Sequence, residues 1–258
     1  MTELPWYKEI RSECSLFEAA HRAKVPILLK GPTGVGKTRL VEHMAARLKR
    51  PLITIACHDD TSAVDLVGRY LLQGGDTVWV DGPVTRAVRQ GAILYLDEIA
   101  EARSDVIVVI HPLTDHRRQL FLERRNEALD AAEGFSLVVS YNPEYQRGLK
   151  ELKPSTKQRF VSLDFHYPEP DVEEKIVLEE TGISASNARK LVALAGKLRS
   201  LDTLGLVEAP SVRLLINCAK LMLQGVPARR ACHAGLALPL SDDPDILQAI
   251  DDLIGLVF

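Results

Sequence analysis

The sequence has few cysteines and no long hydrophobic run, and each absence excludes a class of protein. None of its four cysteines has the C-x-x-C spacing typical of zinc sites. Their scatter also argues against a disulfide framework, so we expect buried, reduced thiols at Cys14, Cys57, Cys218 and Cys232. No apolar stretch is long enough to cross a bilayer. Residues 1–13 carry acids and no apolar core, so we predict no secretory signal and expect a cytoplasmic protein.

The chain also has no excess of basic charge and few aromatic side chains. The formal net charge is −3, so the chain has no broad basic field to hold a polyphosphate backbone. Basic pairs occur at Arg117-Arg118 and Arg124-Arg125, but such pairs are typical of solvated hairpins. No aromatic residues interleave with them to stack on bases, and we expect no nucleic-acid partner.

A phosphate-binding loop is the most informative motif that is present. It matches the pattern G-x-x-x-x-G-K-[ST] at every fixed position and lies between a strand-like apolar run and a helical pattern. The loop is Gly31-Pro32-Thr33-Gly34-Val35-Gly36-Lys37-Thr38. Glycines let several N–H groups point at one anion, Lys37 adds a cation for the terminal phosphates, and the Thr38 hydroxyl can bind magnesium. The alternative is an incidental glycine-rich turn, but motif and context agree on a nucleoside triphosphate site.

Strands and helices alternate over the first two-thirds of the chain, which predicts a parallel sheet flanked by helices. The predicted strands are Val25–Lys30, Leu52–Ala56, Ala92–Leu96, Ser136–Ser140 and Val161–Phe165. After Pro168 and Pro170 no strand-like run follows. The predicted helices there are Asp171–Glu180, Ser186–Arg199, Ser211–Leu223, Pro227–Leu236 and Pro244–Leu256. We therefore predict a nucleotide-binding α/β domain over residues 1–168 and a small all-helical lid domain over residues 169–258.

Two stretches of the first domain do not belong to a minimal α/β core. Residues 70–80 form two strand-like arms around a diglycine turn, and residues 119–129 have the pattern of a second hairpin. Protruding hairpins often only decorate a surface, but in a nucleotide hydrolase they can also touch a substrate.

An apolar strand ends in the carboxylates Asp97 and Glu98. With a phosphate loop upstream, Asp97 is expected to hold magnesium and Glu98 to polarise the attacking water. The alternative is a buried strand followed by an acidic helix cap. A small-molecule kinase would not need the second acid, so the pair favours hydrolysis over transfer.

Three further polar residues are candidates for the same site. Asn142 follows a predicted strand and can place an amide near the terminal phosphate, although Asn-Pro also commonly opens turns. Arg159, at the end of a predicted helix that begins at Pro154, is a candidate arginine finger, with Arg147 as a weaker candidate and a surface arginine as the alternative. Arg213 could reach the phosphates from the second domain.

Two groups of residues suggest chemistry that we do not predict. Cys57 and His58 look like a thiol with its base, yet neighbouring strand residues point to opposite faces of a sheet, so a structural use is favoured. His111 and His116 lack a set of partners with ligand spacing, and we propose no metal besides magnesium.

The phosphate loop, the acid pair, Asn142, Arg159 and Arg213 resemble, in this order, the motifs of AAA+ ATPases and especially of their MoxR branch. The resemblance implies that they are Walker A, Walker B, sensor 1, arginine finger and sensor 2. Strings along nearly the whole chain are similar to the CbbQ/NirQ/NorQ group within that branch. They are Leu29-Lys30 with the phosphate loop and residues 56–60, 65–69, 81–83, 109–115 and 153–156.

This resemblance implies a ring, typically a hexamer, that hydrolyses ATP with Mg²⁺ and acts with a partner carrying a von Willebrand factor A domain. The client of CbbQ members is Rubisco, which is freed of inhibitory sugar phosphates, and that of NorQ and NirQ members is a nitric oxide or nitrite reductase. Overall likeness favours Rubisco. Two other classes fit a phosphate loop: a monomeric small-molecule kinase, and a nucleotide switch that does not hydrolyse its ligand.

Overall fold

The computed structural model describes residues 4–143, 152–201, 206 and 208–258. The chain divides into two compact units, of which the first comprises residues 1–31 and 36–165 and the second residues 32–35 and 166–258. The assignment of residues 1–168 and 169–258 to a nucleotide-binding domain and a lid stays a prediction. No helix among the described residues is long and apolar enough to span a membrane.

The first unit is built on a parallel sheet. The strands are β1 (Ile27–Lys30), β2 (Leu52–Ala56), β3 (Gly68–Gln73), β4 (Asp76–Asp81), β5 (Ile93–Asp97), β6 (Gln119–Leu122), β7 (Glu127–Asp130), β8 (Ser136–Tyr141) and β9 (Val161–Asp164). Five of them form one sheet in the order β2-β5-β8-β1-β9, with every pair parallel. The predicted α/β class is therefore confirmed. Strand β1 begins at Ile27 rather than at Val25, since the intervening Pro26 has no N–H to donate.

The central strands are apolar because helices cover both faces of a parallel sheet. Strand β8 is buried at every position, and β5 is buried at all positions except its last, Asp97. Two serines interrupt the apolar run of β8, Ser136 at 3% and Ser140 at 0% exposure. Buried hydroxyls need hydrogen-bond partners, and both serines have them.

The helices of the first unit are α1 (Glu13–Arg22), α2 (Lys37–Arg47), α3 (Ala63–Val67), α4 (Pro83–Gln90), α5 (Ser104–Ile110) and α6 (Pro154–Lys157). Helix α4 begins with proline at its first position, where the missing N–H costs nothing, and ends at Gly91 in the left-handed region, with φ 64°. Helix α6 ends at Lys157, so the expectation that Arg159 closes this helix is wrong. The Arg159 N–H instead donates to Thr156 in a turn.

Both predicted hairpin segments form antiparallel strand pairs. Strands β3 and β4 pair from Gly68 with Asp81 to Gln73 with Asp76, and the turn between them uses two glycines with positive φ. Strands β6 and β7 form the second hairpin around the short 3-10 segment Glu123–Arg125. Arg118 precedes this hairpin and is partly exposed, and its guanidinium donates to the carbonyls of Lys24 and Phe135 at 2.7 and 2.9 Å.

The described part of the second unit is helical, apart from its loops. Its helices are α7 (Pro170–Thr181), α8 (Ala185–Arg199), α9 (Val212–Leu223), α10 (Ala228–Cys232), α11 (Leu238–Leu240) and α12 (Pro244–Val257). The predicted helix Pro227–Leu236 is not one α-helix, because α10 continues as a π-helical segment over His233–Ala237. Within this unit Glu173, 1% exposed, pairs with Arg199 through two hydrogen bonds of 2.7 and 2.8 Å.

Candidate nucleotide site

The phosphate loop leaves the end of β1 and enters α2. Gly31, Gly34 and Gly36 all have positive φ, of 148°, 73° and 96°, a region in which residues with a Cβ are strained. A Cβ at Gly31 would also lie 2.2 Å from the carbonyl oxygen of Phe165. The loop conformation therefore depends on glycine, and the eleven-residue helix α2 presents its N-terminus where an anion is favoured.

Lys37 of the loop is the first residue of α2. Its ammonium donates a hydrogen bond to the carbonyl oxygen of Gly31 at 2.7 Å. The ammonium is thus held beside the first residue of the loop, and its role at the terminal phosphates stays a prediction. Residues 32–35 belong to the second unit, where a Cβ at Gly34 would lie 2.6 Å from Cβ of Ser211 and 3.5 Å from Cβ of Arg213.

The hydroxyl of Tyr95 contacts both Asp97 and Thr38. Asp97 ends β5, and its Oδ1 accepts hydrogen bonds from the Tyr95 hydroxyl at 2.6 Å and the Ser140 hydroxyl at 2.5 Å. The Tyr95 hydroxyl also lies 3.3 Å from Oγ1 of Thr38. Burial, and then the charge of Asp97, raise the pKa of Tyr95 far above its usual value, so the phenol stays protonated. The carboxylate and the hydroxyl are the oxygen ligands that Mg²⁺ prefers, so these residues fit the ion.

Glu98 has a strained backbone and an exposed side chain. Its φ of 55° and ψ of 47° lie in the left-handed region, which non-glycine residues seldom adopt. Its N–H donates to Oγ of Ser140 at 3.0 Å. Tyr95 and Ser140 also belong to this site and were not among the residues predicted from the sequence. The signal that could have found them is the presence of polar groups in strands otherwise made of apolar residues.

Asn142 comes directly after β8, which lies between β5 and β1 in the sheet. The carboxyl ends of parallel strands meet at one edge of a sheet, so Asn142 follows a strand end that neighbours both Asp97 and the phosphate loop. The sensor 1 role of Asn142 stays a prediction.

Arg159 lies beside an ion pair of the same chain. Its Nη1 is 3.6 Å from Oδ2 of Asp115, which also accepts two hydrogen bonds from the guanidinium Nε and Nη2 of Arg117 at 3.2 and 2.6 Å. The hydrogen bonds from Arg117, together with its charge, hold the pKa of Asp115 well below its usual range. The Arg159 side chain is 36% exposed. Arg147 lies outside the described residues.

An aromatic residue near the N-terminus also reaches the phosphate loop, and the sequence reasoning missed it. A Cβ at Gly36 would lie 3.8 Å from Cε2 of Tyr7, whose ring is 5.8 Å from that of His43 in α2. The Tyr7 hydroxyl donates to Glu13 at 2.7 Å, so the first residues of α1 fix the ring. No sequence motif marks this contact, since it joins segments far apart in the chain.

Cys57 is structural, although the reason given for this from the sequence is wrong. Strand β2 ends at Ala56, so Cys57 and His58 lie beyond it and the alternation of strand faces does not apply. The Cys57 N–H donates to the carbonyl of Asp97 at 2.9 Å. Burial, reinforced by the charges of Asp97 and Glu98, raises the pKa of the Cys57 thiol to about 12, so it is no thiolate nucleophile. All four cysteines are buried and free, as expected.

Comparison with known proteins identifies the family. Residues 26–160 match the AAA domain of the dynein-related subfamily, and residues 173–257 match the CbbQ/NirQ/NorQ C-terminal domain. The chain belongs to the CbbQ/NirQ/NorQ family. It is therefore an AAA+ ATPase that uses ATP and Mg²⁺, and its family is typically oligomeric.

Relatives with different names are almost equally similar to this CbbQ/NirQ/NorQ protein. It is 54% identical to protein NorQ of Paracoccus denitrificans, over 99% of this chain and 95% of the relative. It is 53% identical to the denitrification regulatory protein NirQ of Stutzerimonas stutzeri, over 99% and 93%. It is 51% identical to protein CbbQ of Hydrogenophilus thermoluteolus, over 95% and 92%. The similarity to NorQ, NirQ and CbbQ relatives therefore differs by only a few per cent of identity.

Solved structures support the fold of this CbbQ/NirQ/NorQ protein. A putative ATPase from Cytophaga hutchinsonii superposes with a TM-score of 0.52 at 15% identity, over 93% of this chain and 80% of that one. A RuvB mutant from Thermotoga maritima also gives 0.52, at 17% identity, over 93% and 67%. At such identities the likeness shows the fold alone.

Proposed function

We propose that this AAA+ ATPase is a ring-forming motor that remodels a client enzyme, with Rubisco as the preferred client. The observation that supports ATP hydrolysis at this site is the convergence of the Thr38 hydroxyl and the Asp97 carboxylate on the Tyr95 hydroxyl, with Glu98 as the residue after Asp97. These groups belong to the phosphate loop and to the sheet edge beside it. They supply the parts that triphosphate hydrolysis needs.

The loop N–H groups and Lys37 bind the phosphates of the substrate ATP. Thr38 and Asp97 would hold Mg²⁺, which when bound would neutralise charge on the phosphate oxygens. Glu98, exposed at the edge of the sheet, accepts a proton from the attacking water. The oxygen of that water bonds to the γ-phosphorus. The bond from that phosphorus to the bridging oxygen breaks, and ADP leaves with the oxygen. Asn142 orients the water by its amide.

Arg159 is proposed to act as the finger of a neighbouring subunit. A guanidinium close to the γ-phosphate stabilises the charge that spreads over the transferring group, an effect of about 10³ to 10⁵ in rate. The half-exposed guanidinium beside Asp115 supports this, because an exposed ion pair of this kind is weak enough to exchange for a phosphate. Arg213 is proposed as sensor 2. The packing of Ser211 and Arg213 against residue 34 of the loop supports it.

The hairpins are proposed to contact the protein client. Large apolar side chains are exposed on them, with Tyr70 at 45%, Leu72 at 80% and Phe121 at 42% exposure. Exposed apolar side chains clustered on a projecting element are typical of protein contact surfaces. A partner with a von Willebrand factor A domain is proposed to link the ring to the client.

Rubisco activation is tested by mixing the protein, its von Willebrand factor A partner, ATP and Rubisco inhibited by a bound sugar phosphate, and by following carboxylation. We expect recovery with the parent protein and none with Glu98→Gln, which still binds ATP. Lack of recovery with the parent would reject Rubisco as the client while leaving ATP hydrolysis intact.

A nitric oxide or nitrite reductase is the second candidate client, and the names of two relatives, NorQ and NirQ, favour it. The same mixture with an immature reductase in place of Rubisco distinguishes the two. A monomeric small-molecule kinase is less favoured, because it would need neither Glu98 nor a neighbouring arginine. Sedimentation with ATP tests it: a chain that turns over ATP while monomeric would exclude the ring.

A further inference from the structure

Two buried hydroxyl groups beside the acid pair have no role in the hydrolysis scheme above. Tyr95 lies in β5 two residues before Asp97, and Ser140 lies in β8 two residues before Asn142. Both residues are 0% exposed. Burying a hydroxyl costs free energy unless it is hydrogen-bonded, and here the partners are Asp97, Glu98 and Thr38. These two buried hydroxyl groups therefore form their hydrogen bonds with residues of the nucleotide site.

Ser140 contacts both acids of the pair with one oxygen. Its hydroxyl donates to Oδ1 of Asp97 at 2.5 Å, and the same oxygen accepts the N–H of Glu98 at 3.0 Å. The serine comes from the neighbouring strand, 43 residues further along the chain from Asp97. A single side chain of β8 therefore sets the position of the Asp97 carboxylate and of the Glu98 backbone together.

The Glu98 backbone needs such support because its conformation is unfavourable. A non-glycine residue in the left-handed region costs about 1–2 kcal/mol, and it persists only where its surroundings hold it there. The hydrogen bond to Ser140 holds the peptide that precedes the Glu98 Cα. The direction in which the Glu98 carboxylate leaves the sheet depends on that peptide.

Tyr95 completes the arrangement on Asp97. Its hydroxyl donates to the same Oδ1 and lies 3.3 Å from the Thr38 hydroxyl. The hydroxyls of Tyr95 and Ser140 both donate to Oδ1 of Asp97. Among the described residues, no hydroxyl donates to Oδ2 of this carboxylate. The two donors thereby orient the carboxylate, with Oδ2 left to face a metal ion.

We propose that Ser140 is a positioning residue for ATP hydrolysis, which holds the backbone of Glu98 and, with Tyr95, orients the carboxylate of Asp97. The inference rests on the proposed roles of Asp97 and Glu98. It assigns neither hydroxyl a contact with the substrate. Its consequence is that removal of the Ser140 hydroxyl slows the chemical step while ATP binding persists, because Lys37 and the loop are unchanged.

Strand β8 provides a matched control. Ser136 is also buried, at 3% exposure, and its hydroxyl lies 2.6 Å from Nδ1 of His21. Ser136→Ala and Ser140→Ala therefore each remove one buried, hydrogen-bonded hydroxyl from the same strand. Loss of a buried hydrogen bond affects stability in both variants, whereas only Ser140→Ala affects the acid pair.

The experiment compares Ser140→Ala, Ser136→Ala, Tyr95→Phe and Glu98→Gln by steady-state ATP hydrolysis and by amide hydrogen exchange without nucleotide. We expect kcat to fall about 10-fold or more in Ser140→Ala while KM for ATP stays within about twofold, since small misplacements of catalytic groups cost this much. Ser136→Ala should keep the parental kcat, and Tyr95→Phe should lower it. The Glu98 amide should exchange faster in Ser140→Ala than in Ser136→Ala.

Two results would overturn the inference. One is a kcat in Ser140→Ala equal to that of Ser136→Ala, and the other is equal protection of the Glu98 amide in both. If Glu98→Gln is inactive while Ser140→Ala is as active as the parent, the role of Ser140 alone fails. If Glu98→Gln hydrolyses ATP at the parental rate, the proposed role of Glu98 fails and so does the role of Ser140 that rests on it.

Discussion

At the scale of single residues, glycine at position 31 is required both by its backbone and by its surroundings. Its φ is 148°, and an added Cβ would lie 2.2 Å from the carbonyl oxygen of Phe165. That oxygen belongs to backbone beside β9, so it cannot move aside cheaply. We expect Gly31→Ala to lower the free energy of unfolding by at least about 2 kcal/mol and to weaken ATP binding. Chemical denaturation and nucleotide titration measure the two effects.

Gly182 supplies the control for this prediction. It also has positive φ, of 71°, but a Cβ there would meet nothing within 4 Å. Gly182→Ala should therefore cost only the backbone strain, about 1 kcal/mol, and leave ATP binding unchanged. Equal destabilisation by the two substitutions would show that the close approach of Phe165 is not what requires glycine in the loop.

At the scale of elements, helix α4 connects the two hairpins. Arg89 Nε lies 3.0 Å from Oδ2 of Asp81 at the end of β4, and its Nη2 lies 3.0 Å from Oε1 of Glu127 at the start of β7. Asp81 also accepts a hydrogen bond of 2.6 Å from the Trp79 indole. Arg125 in the second hairpin lies over the Trp79 ring, 5.8 Å from its centroid. The hairpins are thus coupled to each other rather than independent.

We expect Arg89→Ala to loosen the β6–β7 hairpin and to lower client activation while basal ATP hydrolysis stays the same. Exposed ion pairs contribute about 1 kcal/mol or less, so global stability should change little. Hydrogen exchange over β6 and β7 measures the loosening. Arg86→Ala, a change on the same helix at an exposed position, is the control. Unchanged exchange in Arg89→Ala would mean that Arg89 does not couple the hairpins.

A buried ion pair organises the helical unit. Glu173 in α7 is 1% exposed, and Arg199 at the end of α8, which also donates to the carbonyl of Pro210 at 2.6 and 2.9 Å, neutralises it. Removing one partner leaves a buried charge, so we expect Glu173→Ala to lower the free energy of unfolding by about 3 kcal/mol. Glu174→Ala removes a pair with the exposed Arg189 and should cost less than about 1 kcal/mol. Similar thermal denaturation of both variants would contradict this.

At the scale of the whole molecule, the proposed ring shares each site between two subunits. We expect Arg159→Ala and Glu98→Gln each to abolish most ATP hydrolysis alone. When the two variants are mixed, part of the ATP hydrolysis should return, because some subunit interfaces then combine an intact Glu98 with an intact Arg159. Phosphate release from mixtures of varied ratio measures the recovery.

Arg117→Ala is the control for the finger, because Arg117 also pairs with Asp115 and is exposed. It should hydrolyse ATP at nearly the parental rate. Full activity of Arg159→Ala, or no recovery in any mixture with Glu98→Gln, would show that Arg159 does not complete a neighbour's site.

The parts that the sequence determined by itself are those set by contiguous residues. The phosphate loop, the acid pair after an apolar strand and the alternation of strands and helices each follow from residues close together in the chain, because local backbone geometry and periodicity fix them. Family membership followed from the order of such motifs. The boundaries at Pro26 and after Lys157 differed from expectation because a missing N–H and a tight turn end these elements.

The tertiary structure decided which distant residues meet. The sheet order β2-β5-β8-β1-β9 is not the order of the chain, and this order places Ser140 against Asp97 and Glu98. The fold likewise makes the partly exposed Arg118 a donor to the backbone carbonyls of Lys24 and Phe135. Such contacts depend on strand neighbours and packing between segments far apart in sequence, and no local pattern specifies them.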